Sequence, residues 1–328
     1  MTRFGYTLMT EQSGVKEIVS YGIRAEEAGF DFEVSSDHYS PWLKEQGHAG
    51  YAWTMLGAVA HATSRVELAT YVTCPTIRYH PAVVAQKAAT MQVLSDGRFL
   101  LGMGAGENLN EHVVGQGWPP VQQRQDMLEE AVHIIRALLT GELVTWEGEY
   151  FRVDSARVWD APDGGVPIGL AVSGDSSVGR FAPLADHLIA TDPVPELLQS
   201  WDDVRGPDAA ASRKIGQIPI CWAPDEQQGI DIAHEQFRWF GGGWGVNADL
   251  PTPHGFAAAS RFVRKEDVAQ SIACGPDLDE LVEGVRPLWE AGFTDIALVQ
   301  VGDVLQQRFL DEVAEPLLEK LRAAAPKG

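Results

Sequence analysis

The sequence predicts an α/β protein of the (β/α)8 TIM-barrel class, with insertions. Three observations carry that expectation. Short apolar runs alternate with helix-period runs along the chain. The strand-like runs number eight, which implies parallel strands with right-handed crossovers and favours a closed barrel over an open sheet. Polar or glycine-rich clusters (Asp37-His38, Cys74, Gly104 to Asn110, Ser173-Gly174, Thr191) fall at the C-terminal ends of those runs, the face on which barrels carry their chemistry.

The elements follow in order. Phe4 to Met9 reads as a short buried strand. Gly14 to Ala28 has an apolar stripe (Val15, Ile18, Val19, Ile23, Ala25) at helical spacing, and Gly29 stops it. Phe30 to Val34 is the second strand, Tyr51 to Ala62 a helix, and Val66 to Val72 the third strand, rich in β-branched residues. Pro81 to Leu94 is helical, Arg98 to Met103 is strand four, and Met127 to Leu139 is the next helix. Leu143 to Val153 alternates about Glu147-Gly148, a hairpin signature, and reads as an insertion at about 142–160. Strand five is Pro167 to Val172, strand six His187 to Ala190 and strand seven Ile215 to Trp222. Between them lie helices at Ser177 to Leu184 and Pro195 to Val204, and Glu226 to Phe240 follows. The irregular stretch at about 241–262, with Gly241-Gly242-Gly243, Pro251 and Pro253, is too long for an ordinary connection and reads as a lid or interface loop. Lys265 to Ala273 and Leu278 to Ala291 are helical, Thr294 to Val301 is strand eight, and Gln306 to Leu321 is a closing amphipathic helix. The whole chain, 1–328, is read as one barrel domain.

Composition narrows the function. Lys plus Arg total 25 against 46 Asp plus Glu, a formal net charge of −21. Such a field repels phosphate backbones and anionic lipid, so neither nucleic acid nor a membrane surface is expected as a partner. The three cysteines are widely spaced, which argues against a disulfide framework or zinc ribbon and fits a reducing cytoplasm. No basic region followed by a long apolar stretch opens the chain, and no apolar run approaches the ~20 residues of a membrane span. No His/Cys spacing matches a metal site.

Two loops carry the candidate chemistry. In Ser35 to Trp42, His38 is suited to exchange a proton near neutrality, and Asp37 could orient a ring or bind a ligand nitrogen. The same pair could equally cap a helix. In Gly104 to Glu111, glycines would let backbone N–H groups approach an anion, although Glu107 stands where a dinucleotide fingerprint needs its third glycine. A tight turn and a helix-terminal carboxylate are the plainer reading. Ser173-Gly174 before a helix suits either a phosphate or a serine cap. Trp42 and Trp53 could wall a planar ligand or belong to the core.

Taken together, the runs Ser36-Asp37-His38-Tyr39-Ser40-Pro41-Trp42, Thr73-Cys74-Pro75-Thr76 and Gly104-Ala105-Gly106-Glu107-Asn108-Leu109-Asn110-Glu111 resemble the luciferase-like class of oxidoreductases. Within it they are most similar to the branch that uses the deazaflavin coenzyme F420, typified by deazaflavin-dependent glucose-6-phosphate dehydrogenases. The resemblance implies a homodimer, a small-molecule alcohol or carbonyl substrate, and coenzyme F420 across the C-terminal mouth, with FMN as the alternative cofactor. It implies catalytic roles for three residues: His38 takes the alcohol proton, Glu107 manages a proton at the reduced ring, and Trp42 packs at the reacting centre. It implies that Asp37, Val72, Cys74, Ala105, Gly106, Asn110, Ser173 and Gly174 line the cofactor, and that the Tyr71-Val72 peptide is cis. An FMN monooxygenase or reductase and a non-catalytic flavin carrier are the other readings. Hydride transfer leaves the protein to align two carbons and manage two protons, which an imidazole and a carboxylate on separate strand ends can do. One departure stands out. The sugar-phosphate enzymes hold the phosphate with two lysines and an arginine, and the corresponding positions fall near Val194, Asn247 and Ser271, all uncharged. Arg261, Arg264 and Lys265 lie nearby in sequence. The expected substrate is therefore a neutral alcohol or carbonyl compound.

Overall fold

The structure, a computed structural model, describes residues 2–326. Its strands are β1 (Arg3–Thr7), β2 (Phe32–Ser35), β3 (Glu67–Thr70), β4 (Phe99–Met103), β5 (Val144–Glu147), β6 (Arg152–Ala156), β7 (Ile168–Ala171), β8 (His187–Ile189), β9 (Lys214–Trp222), β10 (Ala273–Gly275) and β11 (Asp295–Gln300). Eight of them close a parallel barrel in the order β1-β2-β3-β4-β7-β8-β9-β11, with β11 returning to β1. The expected barrel is therefore present, and β5 and β6 form the expected antiparallel hairpin. The barrel interior is filled by Phe32, Val34, Ala69, Leu100, Ile189, Ile215 and Ala297. Alternate residues of the same strands face outward onto the helices and build the larger core.

Several boundaries differ from the sequence reading. The second strand begins at Phe32 because Gly29 takes a left-handed φ of 99° and Phe30 N–H bonds back to Ala25 O, so Phe30 closes the preceding helix. The helix placed at Met127 starts at Val121, its first turns hidden by a polar run. The helix read from Ser177 starts at Asp175 and ends at Phe181, ahead of Pro183. The helix after β9 ends at Phe237 and tightens into a 3-10 turn, Arg238–Gly242. Most of the stretch at 241–262 is not irregular: it holds helices Trp244–Asn247 and Pro253–Ala259, the latter capped by the Thr252 hydroxyl with proline at its first position. Lys265 to Ala273 divides into a helix, Lys265–Ser271, and β10, whose three residues are too few to register as a pattern. The closing helix is two, Gln306–Glu312 and Ala314–Ala324, because Pro316 has no N–H to bond Glu312. No described helix is long and apolar enough to cross a membrane.

Candidate active site

The mouth of the barrel is built from the ends of β1, β2, β3 and β4. Just past β1, Glu11 is fully buried and accepts from Ser36 Oγ (2.8 Å) and Thr10 Oγ1 (3.2 Å). Its Oε1 lies 2.6 Å from His38 Nδ1, with the ring N–H off the line to the oxygen, so the contact is more an ion pair than an in-line hydrogen bond. The other ring nitrogen, Nε2, faces Glu107 Oε2 at 3.5 Å. An imidazole thus stands between two carboxylates, its Nδ1 committed to the buried one and its Nε2 turned to the partly exposed one.

The electrostatics follow from that placement. Burial opposes charge on His38, but the nearby Glu11 carboxylate, aided by Glu107, outweighs it and raises the imidazole above its ordinary value. Burial likewise disfavours the Glu11 carboxylate, yet His38 and the hydroxyl of Ser36 hold it below the usual range. Glu107 goes the other way. Burial, with repulsion from Glu11 and Glu111 and against the pull of His38, pushes it up to about 7. The array therefore contains a carboxylate held ionised, an imidazole raised above its ordinary value, and a carboxyl that exchanges its proton near 7.

Asp37 is held from all sides. Its Oδ2 accepts from Trp53 Nε1 and Thr73 Oγ1, both at 2.9 Å, and its Oδ1 from Tyr79 OH at 3.1 Å. The Arg78 guanidinium lies 3.3 Å from Oδ1 and also donates to the Asp37 carbonyl. Arg78 is shared with the buried Glu111, which takes its backbone N–H at 2.8 Å. Trp53 is thus a core residue that also serves Asp37. Asn110 joins the two loops: its Oδ1 accepts from Tyr39 N–H (2.8 Å) and Ser40 N–H (3.3 Å), and its Nδ2 donates to Glu107 (3.3 Å).

The glycines in the second loop serve packing. A Cβ on Gly104 would lie 2.7 Å from Val72 Cγ2, and one on Gly106, at φ +83°, 2.6 Å from Cys74 Sγ. Cys74 is buried against Thr76, and burial pushes its thiol up, which suits a lining group and not a nucleophile. The Tyr71-Val72 peptide is cis. Tyr71, Val72 and Ala171 cap the inner barrel cluster, so the floor of the mouth is apolar while its rim carries the charged groups. A planar heterocycle with polar edges fits that combination. Ala105 packs on the adjoining core. Ser173 and Gly174 follow β7, the strand that neighbours β4. Their N–H groups donate to Ser177 Oγ at 3.1 and 3.2 Å, so of the two readings left open there the serine cap is present.

Trp42 forms the wall. Its ring meets His38 edge-on at 4.8 Å, stacks on Trp239 at 4.0 Å and 11°, and abuts Phe256 at 5.1 Å. Phe256, from the stretch read as a lid, thus backs Trp42 together with Trp239, which lies just before that stretch. Sequence reasoning missed Glu11, Arg78, Glu111 and Trp239. Applying the strand-end rule to the first strand would have found Glu11, two residues past Met9. Among the described residues, no group of three or more His, Cys, Asp or Glu could hold a metal ion.

A model of the luciferase-like monooxygenase family matches residues 1–295. The F420-dependent glucose-6-phosphate dehydrogenase of Nakamurella multipartita is 35% identical, over 99% of this chain and 98% of that protein. The protein of the same name from Nocardia farcinica is 36% identical over 98% of each. Among solved structures, an F420-dependent secondary alcohol dehydrogenase in complex with an F420-acetone adduct has a TM-score of 0.89 at 27% identity, over 98% of this chain and 99% of that one. The F420-dependent tetrahydromethanopterin reductase of Methanopyrus kandleri shares the fold, with a TM-score of 0.73 at 19% identity over 96% of this chain and 99% of that one. With the barrel, the motif loops and the family match in agreement over most of its length, the chain belongs to the luciferase-like monooxygenase family.

Proposed function

We propose that this protein is a coenzyme F420-dependent oxidoreductase that interconverts an alcohol and its carbonyl compound, and that its substrate is not a sugar phosphate. The Glu11–His38–Glu107 array carries the reading: two proton-exchanging groups set apart on different strand ends, beside an apolar floor. The names of the relatives at 35 and 36% identity and of the alcohol dehydrogenase support the cofactor. The deazaflavin, when bound, supplies a two-electron hydride acceptor or donor. Asp37, Val72, Cys74, Ala105 and Gly106 are the residues proposed to hold it, with Asn110 bracing the rim and Ser173-Gly174 at its far edge. His38 removes the hydroxyl proton through Nε2, because Nδ1 faces Glu11. Glu107, near 7, takes up or returns the second proton at the same pH. Trp42, pinned by Trp239 and Phe256, excludes water from the reacting carbon.

The substrate follows from the cations. Val194 is half-exposed, Asn247 is buried with its amide directed to Trp239 O, and the Ser271 hydroxyl donates to Asp267 O. The nearby basic residues are engaged elsewhere. Arg264 pairs with Asp267 at 2.6 Å, Lys265 pairs with Asp231 at 2.8 Å, and Arg261 lies over the exposed Phe262 ring at 4.4 Å. A phosphate would forgo charge-assisted contacts each worth ~1.5–3 kcal/mol. The test is a binding titration with F420 and FMN, then turnover of secondary alcohols and glucose 6-phosphate. The expected result is preference for F420 and turnover of a neutral alcohol. Tighter FMN binding would overturn the cofactor, and robust turnover of submillimolar glucose 6-phosphate would overturn the substrate class.

A further inference from the structure

We propose that Lys87 is a positioning residue for the cofactor: its ammonium, sealed among Tyr51, Trp53 and Tyr79, holds the two rings that fix both oxygens of Asp37. Lysine normally runs its stem along apolar surface and leaves its head in water. Lys87, on helix Pro81–Leu94, does the reverse. Its Nζ has essentially no solvent access and no hydrogen-bond partner among the described residues. It sits 3.4 Å from the Tyr79 ring centroid, 5.0 Å from Tyr51 and 5.1 Å from Trp53. An unpartnered ammonium is costly to bury, and three π faces are what offsets that cost here.

Two of those rings end on Asp37. Tyr79 OH donates to Oδ1 at 3.1 Å and Trp53 Nε1–H to Oδ2 at 2.9 Å. A cation on a phenol face draws electron density from the ring and strengthens the hydroxyl as a donor. Charge balance points the same way. Asp37 and Glu111 share the one Arg78 guanidinium, and Lys87 supplies the second positive charge. The charged and titratable groups around it are Asp37, Arg78, Tyr79 and Tyr51. Burial, reinforced by Arg78 and opposed by Asp37, lowers the Lys87 ammonium to about 8, so the cage loses its charge in mildly alkaline solution.

The inference rests on the reading of Asp37 as a cofactor-holding residue, and the experiment separates the two. The dissociation constant of coenzyme F420 is measured by fluorescence titration on the intact protein between about pH 6.5 and 9.5. Wild type should lose affinity severalfold as pH rises through about 8. Lys87→Met should weaken binding about tenfold at neutral pH and flatten the profile. Lys87→Arg, charged throughout, should stay within about threefold of wild type at neutral pH and also flatten it. Asp37→Asn should weaken binding at every pH. If Asp37→Asn weakens binding while Lys87→Met binds as wild type, Lys87 does not position the cofactor. If Asp37→Asn itself binds as wild type, the reading of Asp37 falls and this inference with it. Should Lys87→Met fail to fold, persistence of the alkaline step in Lys87→Arg is enough to overturn the proposal.

Discussion

Replacing Glu11 by Gln isolates what the buried carboxylate does for His38. The amide keeps its size and one oxygen to accept from Ser36, and the Thr10 hydroxyl can turn to accept from the NH2 group, so the packing at the end of β1 is retained while the charge beside Nδ1 is removed. The carboxylate lies 2.6 Å from the ring and is screened by no solvent. A buried contact to a charged partner contributes ~1.5–3 kcal/mol, which at about 1.4 kcal/mol per decade is roughly a 10- to 150-fold loss of rate. Direction gives a second handle. Because Glu11 raises His38, alcohol oxidation, which needs the neutral ring, should increase as pH climbs through that raised value, and carbonyl reduction should decrease. In Glu11→Gln both inflections should move to lower pH. The assay is steady-state kcat and kcat/KM against pH in each direction, with coenzyme F420 as the partner. A variant that keeps its rate within about twofold and its inflection unmoved would sink the idea that Glu11 sets the proton on His38.

Two further expectations test packing and burial. Gly106→Ala would set a Cβ against Cys74 Sγ at a φ of +83°, so it should lower both melting temperature and cofactor affinity. Adding Cys74→Ala should restore only part, because the left-handed backbone still costs ~1–2 kcal/mol, and full recovery would remove the conformational half of the argument. Glu33 on β2 is fully buried with both carboxylate oxygens unpartnered, and burial, with Glu26 against Arg98 and Arg65, pushes it well above the carboxylate range. The folded chain therefore keeps a proton that the unfolded chain releases. Stability is complete below about pH 4.3, the unfolded value, and declines as pH rises toward the raised folded one. Glu33→Gln should lose that part of the decline in melting temperature, and an unchanged slope would contradict it.

The barrel was legible because its signals are local and repeated. Eight runs of the right length, each followed by a helical period, leave few topologies open. That Asp37, His38, Trp42 and Glu107 gather at one end of the barrel was legible from their positions just past strand ends. Arg78, Trp239 and Lys87 were not, since nothing in their neighbourhood marks them. Each matters through a partner distant in sequence: Asp37 for Arg78, Trp42 for Trp239, the Tyr79 and Trp53 rings for Lys87. At Gly104 and Gly106 the sequence shows that small residues are needed but not why: the close approach of Val72 and Cys74, which leaves no room for a Cβ, comes from a neighbouring strand end. At Ser173-Gly174 the serine cap left open by the sequence is present, though the capping hydroxyl belongs to Ser177, three residues past Gly174.

The balance of charge at the mouth bears on what can enter it. Four carboxyl groups converge there, Glu11, Asp37, Glu107 and Glu111, and His38, Arg78 and Lys87 answer them. Arg78 is buried and divided between Asp37 and Glu111, Lys87 is closed off by aromatic rings, and His38 is claimed by Glu11. No cation in this set is left to greet an anion. A dianionic substrate approaching His38 would meet Glu107 and drive it further toward its neutral form, drawing on the same proton that the reaction must exchange. A neutral alcohol makes no such demand, and its carbon skeleton meets Trp42 with Trp239 and Phe256 behind it. On the proposed reading, the arrangement that tunes the proton pair would also be the one that selects against charge.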